Sequence, residues 1–334
     1  MDHVGIDLGG KESQVCARNS DGAIRWEGRW PTARIGEYLR ECPPSRVVLE
    51  TCAEAFAVAD AVVAAGHEIR VVPCSLVRSL GVGARGVKTD ERDARALSEV
   101  SCRVDLPSVH RPSTTARQWK TLCGTREALV DSRTRLVNTV KGWLRTQTLR
   151  VRSGVVNTFP QRVRDHYAAA AQPLPSCIAR QLEAIAQLSD QIANANEELQ
   201  EIAAADPTCQ RLMSVPGVGP VTAMRFVAAI DDISRFGGAH AVESYLGLVP
   251  GEQSSSERQR RTGITKAGAS KLRWALVQAS WSARRCRPRD PMVIWANQVE
   301  QRRGRRVAMV ALARKIAGIL YALWRDGTTY RVDA

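Results

Sequence analysis

The sequence predicts an α/β N-terminal domain on a mixed sheet, then a helical coiled-coil arm, then a mainly α C-terminal domain with a helix–hairpin–helix-like turn. Three observations carry that reading. Short apolar runs separated by turn residues fill positions 3–73. Leucines recur every seven residues from Thr115 onward. Beyond residue 206 a Pro-Gly turn, SVPGVGPVTA, and a long apolar helix, RVAMVALARKIAGILYALW, stand out. A change of period along a chain marks a change of architecture. At 334 residues the chain exceeds one ordinary core, and the expected divisions are 1–108, 109–205 and 206–334.

The elements follow in order. HVGIDL (3–8), residues 14–18 and GAIRWEGRW (22–30) read as strands joined by turns such as NSDG, and RVVLE (46–50) is a fourth strand ending on a glutamate. AEAFAVADAVVAAGH (53–67) is an alanine-rich helix and EIRVVP (68–73) a further strand, so three strands precede an α/β alternation. In GARGVKTDERDARAL (84–98), Thr89 suits a helix N-cap, with Lys88 before it, and Asp90 and Asp93 then share one helical face. From Thr115 to about Thr148 a long helix carries Leu122, Leu129, Leu136 and Trp143 every seven residues. Trp119 and Val140 lie on the intervening seam, which Arg126 and Arg133 interrupt. After turn signals over 152–176, Leu182, Ile185, Leu188, Ile192, Ala195, Leu199 and Ile202 mark a second periodic helix. An antiparallel arm, an oligomerisation element and two plain core helices all fit this pattern.

Hydrophobic content of 44% and charged content of 25% fit a soluble globular protein. No apolar run is expected to reach the length of a membrane span, and the start MDHVGIDLGG lacks the basic and apolar regions of a signal peptide, so a cytoplasmic location is expected. Nine cysteines without a C-x-x-C pair point to reduced, mostly buried thiols rather than disulfides or a zinc site. Five scattered histidines leave metal binding to oxygen ligands. The net charge of +14 is uneven: residues 1–100 hold 13 Lys+Arg against 15 Asp+Glu, and the remainder 35 against 19. An excess confined to one part of a chain indicates a polyanionic partner, most often nucleic acid.

Three constellations carry chemistry. Asp7 ends the first strand, Glu50 ends the fourth, and Asp90 and Asp93 open a helix, so four carboxylates can meet at one sheet edge. Oxygen clusters of this kind hold Mg²⁺ (or Mn²⁺) around a phosphodiester undergoing in-line displacement. Gly217 and Gly219 in SVPGVGPVTA allow a tight turn whose backbone N–H groups can face a phosphate at a helix start, or an ordinary Pro-Gly turn between two core helices. In GLVPGEQSSSERQRRTGITKAGASKLR, Ser254, Ser255 and Ser256 lie among Glu252, Arg258, Arg260, Arg261, Lys266, Lys271 and Arg273. A serine there is either a nucleophile, with guanidiniums stabilising the pentacoordinate transition state, or part of a linker. Arg126 and Arg133 are further candidates for nucleic-acid contact.

GIDLGG also resembles the first phosphate loop of actin-like sugar kinases, but no second Asp-Gly-rich loop follows midway. GIDLGGKES, VVLET, VKTDERDA, SVPGVGPVTA, YLGLVPGEQSS and GITKAGASKLR together resemble the DEDD-type transposases of bacterial insertion sequences, which include pilin-gene invertases and bridge-RNA-guided recombinases. The resemblance spans nearly the whole chain. It implies an N-terminal RuvC-like domain of RNase H fold, with Asp7, Glu50, Asp90 and Asp93 as the Mg²⁺-binding acids. It also implies a C-terminal transposase domain with a serine nucleophile, Ser255 with Ser254 as the fallback. Ser256-Glu257 stands where the family pattern has a glycine pair, and Arg258 where it has lysine. The resemblance further implies homo-oligomers (dimers pairing into a tetramer), DNA substrates at element ends and target, a structured guide RNA and a nucleoid-associated bacterial enzyme without membrane contact. The activity expected is cleavage and rejoining of DNA strands. A metal-only RuvC-like junction nuclease and a non-catalytic nucleic-acid-binding derivative are the alternatives.

Overall fold

In the computed structural model, which describes residues 1–79, 89–252 and 261–331, the first unit grows outward from its opening strand. That unit, Met1–Pro112, begins with an antiparallel meander: β1 (Asp2–Asp7), β2 (Glu12–Arg18) and β3 (Ile24–Pro31). Helix α1 (Ile35–Arg40) leads to β4 (Ser45–Glu50), and α2 (Ala55–Ala64) leads to β5 (Glu68–Val72). The sheet order is β3-β2-β1-β4-β5, with β4 parallel to both β1 and β5. This is the mixed sheet expected, its strands falling within two residues of the anticipated bounds at every end. Helices α3 (Cys74–Ser79) and α4 (Asp90–Arg103) follow.

Strand alternation sorts the side chains between two layers. Val4, Ile6, Val47, Leu49 and Val71 pack with Ile35, Leu39, Ala59 and Val62 of α1 and α2. Val48 and Val72 face the other way and join Leu97 of α4 and Leu106. Helix α4 is short of bulk where it meets β1: its buried stripe is Asp93, Ala94, Leu97, Ser98 and Ser101. Its backbone lies directly on Gly5, where an added Cβ would overlap the Ala94 carbonyl oxygen and stand 2.5 Å from Ser98 N. Polar contacts tie the rest down. His3 Nδ1 and Ser101 Oγ are 2.8 Å apart, and Arg18 Nε donates to Ser98 Oγ at 3.1 Å. Arg95 forms a two-pronged pair with Glu27 of β3, 2.5 and 2.6 Å. The Arg95 hydrogen bonds hold the Glu27 carboxyl below the usual carboxylate range. Thr89 caps the helix, its hydroxyl accepting from Arg92 N, as the sequence predicts.

The second unit, Ser113–Ala334, opens with α5 (Thr114–Thr146), which Ser113 caps. Then come α6 (Phe159–Ala169), α7 (Ser176–Ala205), α8 (Pro207–Met213), α9 (Pro220–Ile230) and α10 (Ala239–Tyr245). A two-stranded ribbon, β6 (Pro250–Glu252) with β7 (Arg261–Ile264), precedes α11 (Ser270–Cys286), α12 (Pro291–Arg303) and α13 (Arg305–Asp326). The α5–α7 pair is antiparallel: Val137, Val140 and Leu144 cluster with Ile178, Leu182 and Ile185, while Cys123 clusters with Leu199 and Ala203. The buried seam of α5 is Ala116, Cys123, Val137, Val140 and Leu144. It is rotated one position from the predicted leucines, which flank it half-buried. A helix that packs on α9 as well as α7 buries a wider stripe than a two-stranded seam.

Two expectations are corrected. Helix α13 is long and apolar enough to cross a membrane by length and composition. It is the central core helix of this unit, burying Met309, Leu312, Ile316, Leu320 and Leu323 against its neighbours, and a helix enclosed on several sides is apolar nearly all round. The cysteines are free, but only Cys16, Cys123 and Cys209 are buried, whereas Cys52, Cys74, Cys177 and Cys286 are exposed. Spacing excludes a zinc site without saying which face of an element each thiol takes.

Two stability tests follow from the docking of α4. Gly5→Val should lower the unfolding free energy by about 1–3 kcal/mol through overpacking, read by urea denaturation. Gly10→Ala, where an added Cβ meets nothing within 4 Å, should stay within about 0.5 kcal/mol. Equal effects would mean that α4 does not rest on Gly5. For Glu27, the lowered folded value means its stabilisation is present above the unfolded value of about 4.3 and is lost as pH falls through the folded value. The stability gap between the unaltered chain and Glu27→Gln should therefore be full at pH 7 and close on acidification below about pH 4. A gap independent of pH would remove the Arg95 pair as its cause.

Candidate active site and nucleic-acid interface

The acidic edge is set by backbone register. β1 and β4 pair in parallel with Ile6 opposite Leu49, so the next residues, Asp7 and Glu50, end neighbouring strands side by side, with Cα atoms roughly 5 Å apart. By alternation both lie on the sheet face of Gly5 and Val48, which α4 covers. Helix α4 runs antiparallel to β1, with Ser101 beside His3, and Ala94 and Ser98 over Gly5. Two strand residues advance about as far as four or five helix residues, so the level of Asp7 falls at the first turn of α4. That turn carries Asp90 and Asp93.

Asp93 is buried at 8% exposure, Asp7 and Glu50 are half-buried, and Asp90 is exposed. The hairpin after Asp7 is pinned: Thr32 Oγ1 donates to the Gly9 carbonyl at 2.6 Å, and Ser13 Oγ lies 2.8 Å from Thr32 Oγ1. The backbone thus brings the four acids to one face and one end of the sheet. Their side chains do not close on a point, since among the described residues no three His, Cys, Asp or Glu form a metal-ligating group. Carboxylates of this kind are the hard oxygen donors that divalent cations take.

In the second unit the predicted hairpin is present as α8, the turn 214–219 and α9. Its two glycines differ in kind. Gly217 has φ +84°, and a Cβ there would overlap the Ala279 carbonyl oxygen and stand 2.6 Å from Ala283 N of α11. Gly217 is therefore demanded by packing. A Cβ at Gly219 meets nothing within 4 Å, so that position faces open space. The YLGLVPGE and GITKAGAS segments lock together: Thr265 N donates to Val249 O at 2.9 Å and Lys266 N to Gly247 O at 3.1 Å. Lys266 adopts φ +59°, a strained value for a residue with a Cβ, and is exposed.

The basic candidates are placed as follows. Lys271 Nζ lies 2.8 Å from Glu127 of α5, which also accepts from Arg225 at 2.6 Å. Arg273 donates to the carbonyls of Leu246, Ala267 and Gly268, closing the segment before α11. Arg126 of α5 donates to Asn196 of α7, and Arg133 of α5 to Asn157 and to Ser189 of α7. Arg261 opens β7. Ser254, Ser255, Ser256, Arg258 and Arg260, like Lys88, lie outside the described residues. Sequence reasoning missed Gly5, Glu27 and Arg95, which position α4. The strand alternation of β3 would have placed Glu27 on one face, but nothing local pairs it with a residue 68 positions on.

Comparison with known proteins matches this layout. A family model for transposases of the DEDD, IS110 type matches residues 4–148, and one described as "Transposase IS116/IS110/IS902 family" matches residues 209–292. The chain is 28% identical to a "Probable family 20 transposase" of Pseudomonas aeruginosa, covering 99% of both chains. It is 28% identical to the transposase for insertion sequence element IS1111A of Coxiella burnetii, over 99% of this chain and 92% of that one. It is likewise 28% identical to the transposase for IS1328 of Yersinia enterocolitica, over 98% of each. The first match contains the acidic sheet edge and the second the hairpin, and the chain belongs to the DEDD-type insertion-sequence transposases of the IS110 family.

Proposed function

We propose that this chain is a DNA recombinase that cuts and rejoins the strands of an insertion sequence with a carboxylate-held metal and a serine nucleophile. The observation that carries the reading is the meeting of Asp7, Glu50 and the first turn of α4 at one end and face of the sheet. Asp7, Glu50, Asp90 and Asp93 would hold Mg²⁺ or Mn²⁺, and the ion would supply Lewis-acid polarisation of a phosphodiester. Ser255, or Ser254 if the register differs by one, would attack phosphorus. Its Oγ–P bond forms as a strand P–O bond breaks, and the hydroxyl of an incoming strand later displaces the serine. Arg258, Arg260, Arg261 and Lys266 would offset charge on the equatorial oxygens. Gly217 and Gly219 would set the hairpin against duplex backbone, with Lys271, Arg273, Arg126 and Arg133 adding to a diffuse positive field.

The domain scheme proposed with it is a catalytic domain over 1–108, an arm over 109–205 and a transposase domain over 206–334. The proposal includes a homo-oligomer, a dimer or tetramer, and a structured guide RNA. Guidance by base pairing would leave the protein to bind shape and backbone, in line with basic residues spread over the chain beyond residue 100.

Cleavage and strand transfer on element-end DNA test the reading. Asp7→Asn and Asp93→Asn should each lower cleavage by roughly 100-fold or more with DNA binding retained. The unaltered chain should leave a denaturant-resistant protein–DNA adduct that Ser255→Ala abolishes. Loss of the adduct only in Ser254→Ala moves the nucleophile by one residue. Cleavage with no adduct in the unaltered chain selects a metal-only nuclease, in which the serine loop merely binds phosphate. Tight binding without cleavage at any Mg²⁺ concentration selects a non-catalytic derivative.

A further inference from the structure

A cleft of about 830 Å³ opens beside the hairpin. One wall is the turn Ser214–Gly219, and the other is the α11–α12 corner, with Ser282, Arg287, Arg289 and Asp290. The cleft's described lining residues include none of the four acids. Its two walls are fixed by different means. The hairpin wall is fastened through Gly217, whose missing side chain lets the turn sit on the α11 backbone at Ala279 and Ala283. The corner wall is held by Asp290, buried at 7% exposure, which caps α12 by accepting from Met292 N at 2.9 Å. Tyr330 joins them: its hydroxyl donates to Asp290 at 2.9 Å, and its backbone N donates to Ser214 Oγ at 2.8 Å. Burial, then the Asp290 hydrogen bond, pushes the Tyr330 phenol up to about 12, so it stays a donor at neutral pH.

The charges in this cleft are not balanced. Asp290 is its one lining acid among the described residues, and that carboxylate is satisfied by a helix N-terminus and the phenol. Arg287 and Arg289 are exposed, two residues apart on a short turn, and no ion pair to either is seen among the described residues. Nearby Arg284 and Arg305, by contrast, are both tied to Glu300. Two guanidiniums held at the rim of a rigid cleft, opposite the open backbone at Gly219, suit an anionic backbone running along the groove.

We propose that this cleft seats the sugar–phosphate backbone of duplex DNA, with Arg287 and Arg289 as its phosphate clamps and the Gly219 side of the hairpin as the opposing wall. The proposal rests on the recombinase reading and deepens it, adding two contact residues on an element that the hairpin motif does not contain. Their contribution is independent of base sequence, because phosphate contacts position the duplex without reading it.

The test is binding of a short random-sequence duplex by the full-length protein across a salt series. Arg287→Ala and Arg289→Ala should each weaken binding several-fold and reduce the slope of log affinity against log salt by about one. Arg287→Lys and Arg289→Lys should retain the slope, and Arg180→Ala, on the opposite end of α7, should leave both quantities unchanged. Circular dichroism establishes that each variant is folded. Alanine variants with an unaltered slope, while the parent chain binds with a steep one, overturn the cleft and leave the recombinase reading standing. If the alanine variants lose affinity for an RNA hairpin but not for the duplex, the DNA assignment is wrong. A parent chain that binds no nucleic acid at all overturns both.

Discussion

The first unit depends on one close contact, that between the backbone of α4 and the side-chain-free face of Gly5. A helix packed on a sheet ordinarily stands off by the depth of a side-chain layer, about 10 Å. Here Ala94, Ser98 and Gly5 remove that layer locally, and the helix comes down onto the strand. The descent lets Asp90 and Asp93 approach the level of Asp7 and Glu50 on a common face. Arg95–Glu27 and His3–Ser101 then fix the rotation and slide of the helix along β1. Small residues set the distance and polar pairs set the register.

The second unit uses the same device for a different end. Gly217, Gly247 and Gly268 all have φ between +65° and +84°, and each lies where another backbone passes too closely for a Cβ. These glycines make the hairpin, the segment before β6 and the segment after β7 into one interlocked body on the α13 core. The two motifs on either side of the serine run are thus a single structural object, joined by backbone hydrogen bonds at Val249–Thr265 and Gly247–Lys266. The ion pairs of Glu127 with Arg225 and Lys271 connect that body to α5.

Charge is divided unevenly along the chain. The acidic edge belongs to a stretch with nearly balanced charge. The arginine excess lies beyond residue 100, and much of it is spent internally, on carbonyls by Arg273, on amides and hydroxyls by Arg126 and Arg133, and on Glu300 by Arg284. Net charge therefore overstates the cations free to meet a polyanion, and position within the fold decides which they are.

Much of this protein was legible in the amino-acid order because the relevant physics is local. Period-two alternation marked the strands, Thr89 announced the start of α4, and Asp7 and Glu50 declared themselves by ending apolar strands. The hairpin followed from its glycines, and the two long helices from their apolar spacing. Three things were decided only by tertiary packing. The seam of α5 turned by one position because α9 covers it along with α7. The apolar length of α13 is packed into the core of its unit, which covers Met309, Leu312, Ile316, Leu320 and Leu323. Which arginines are committed and which are open, and which acids face α4, depended on partners dozens of residues away, and no local pattern encodes a distance between side chains so far apart in the chain.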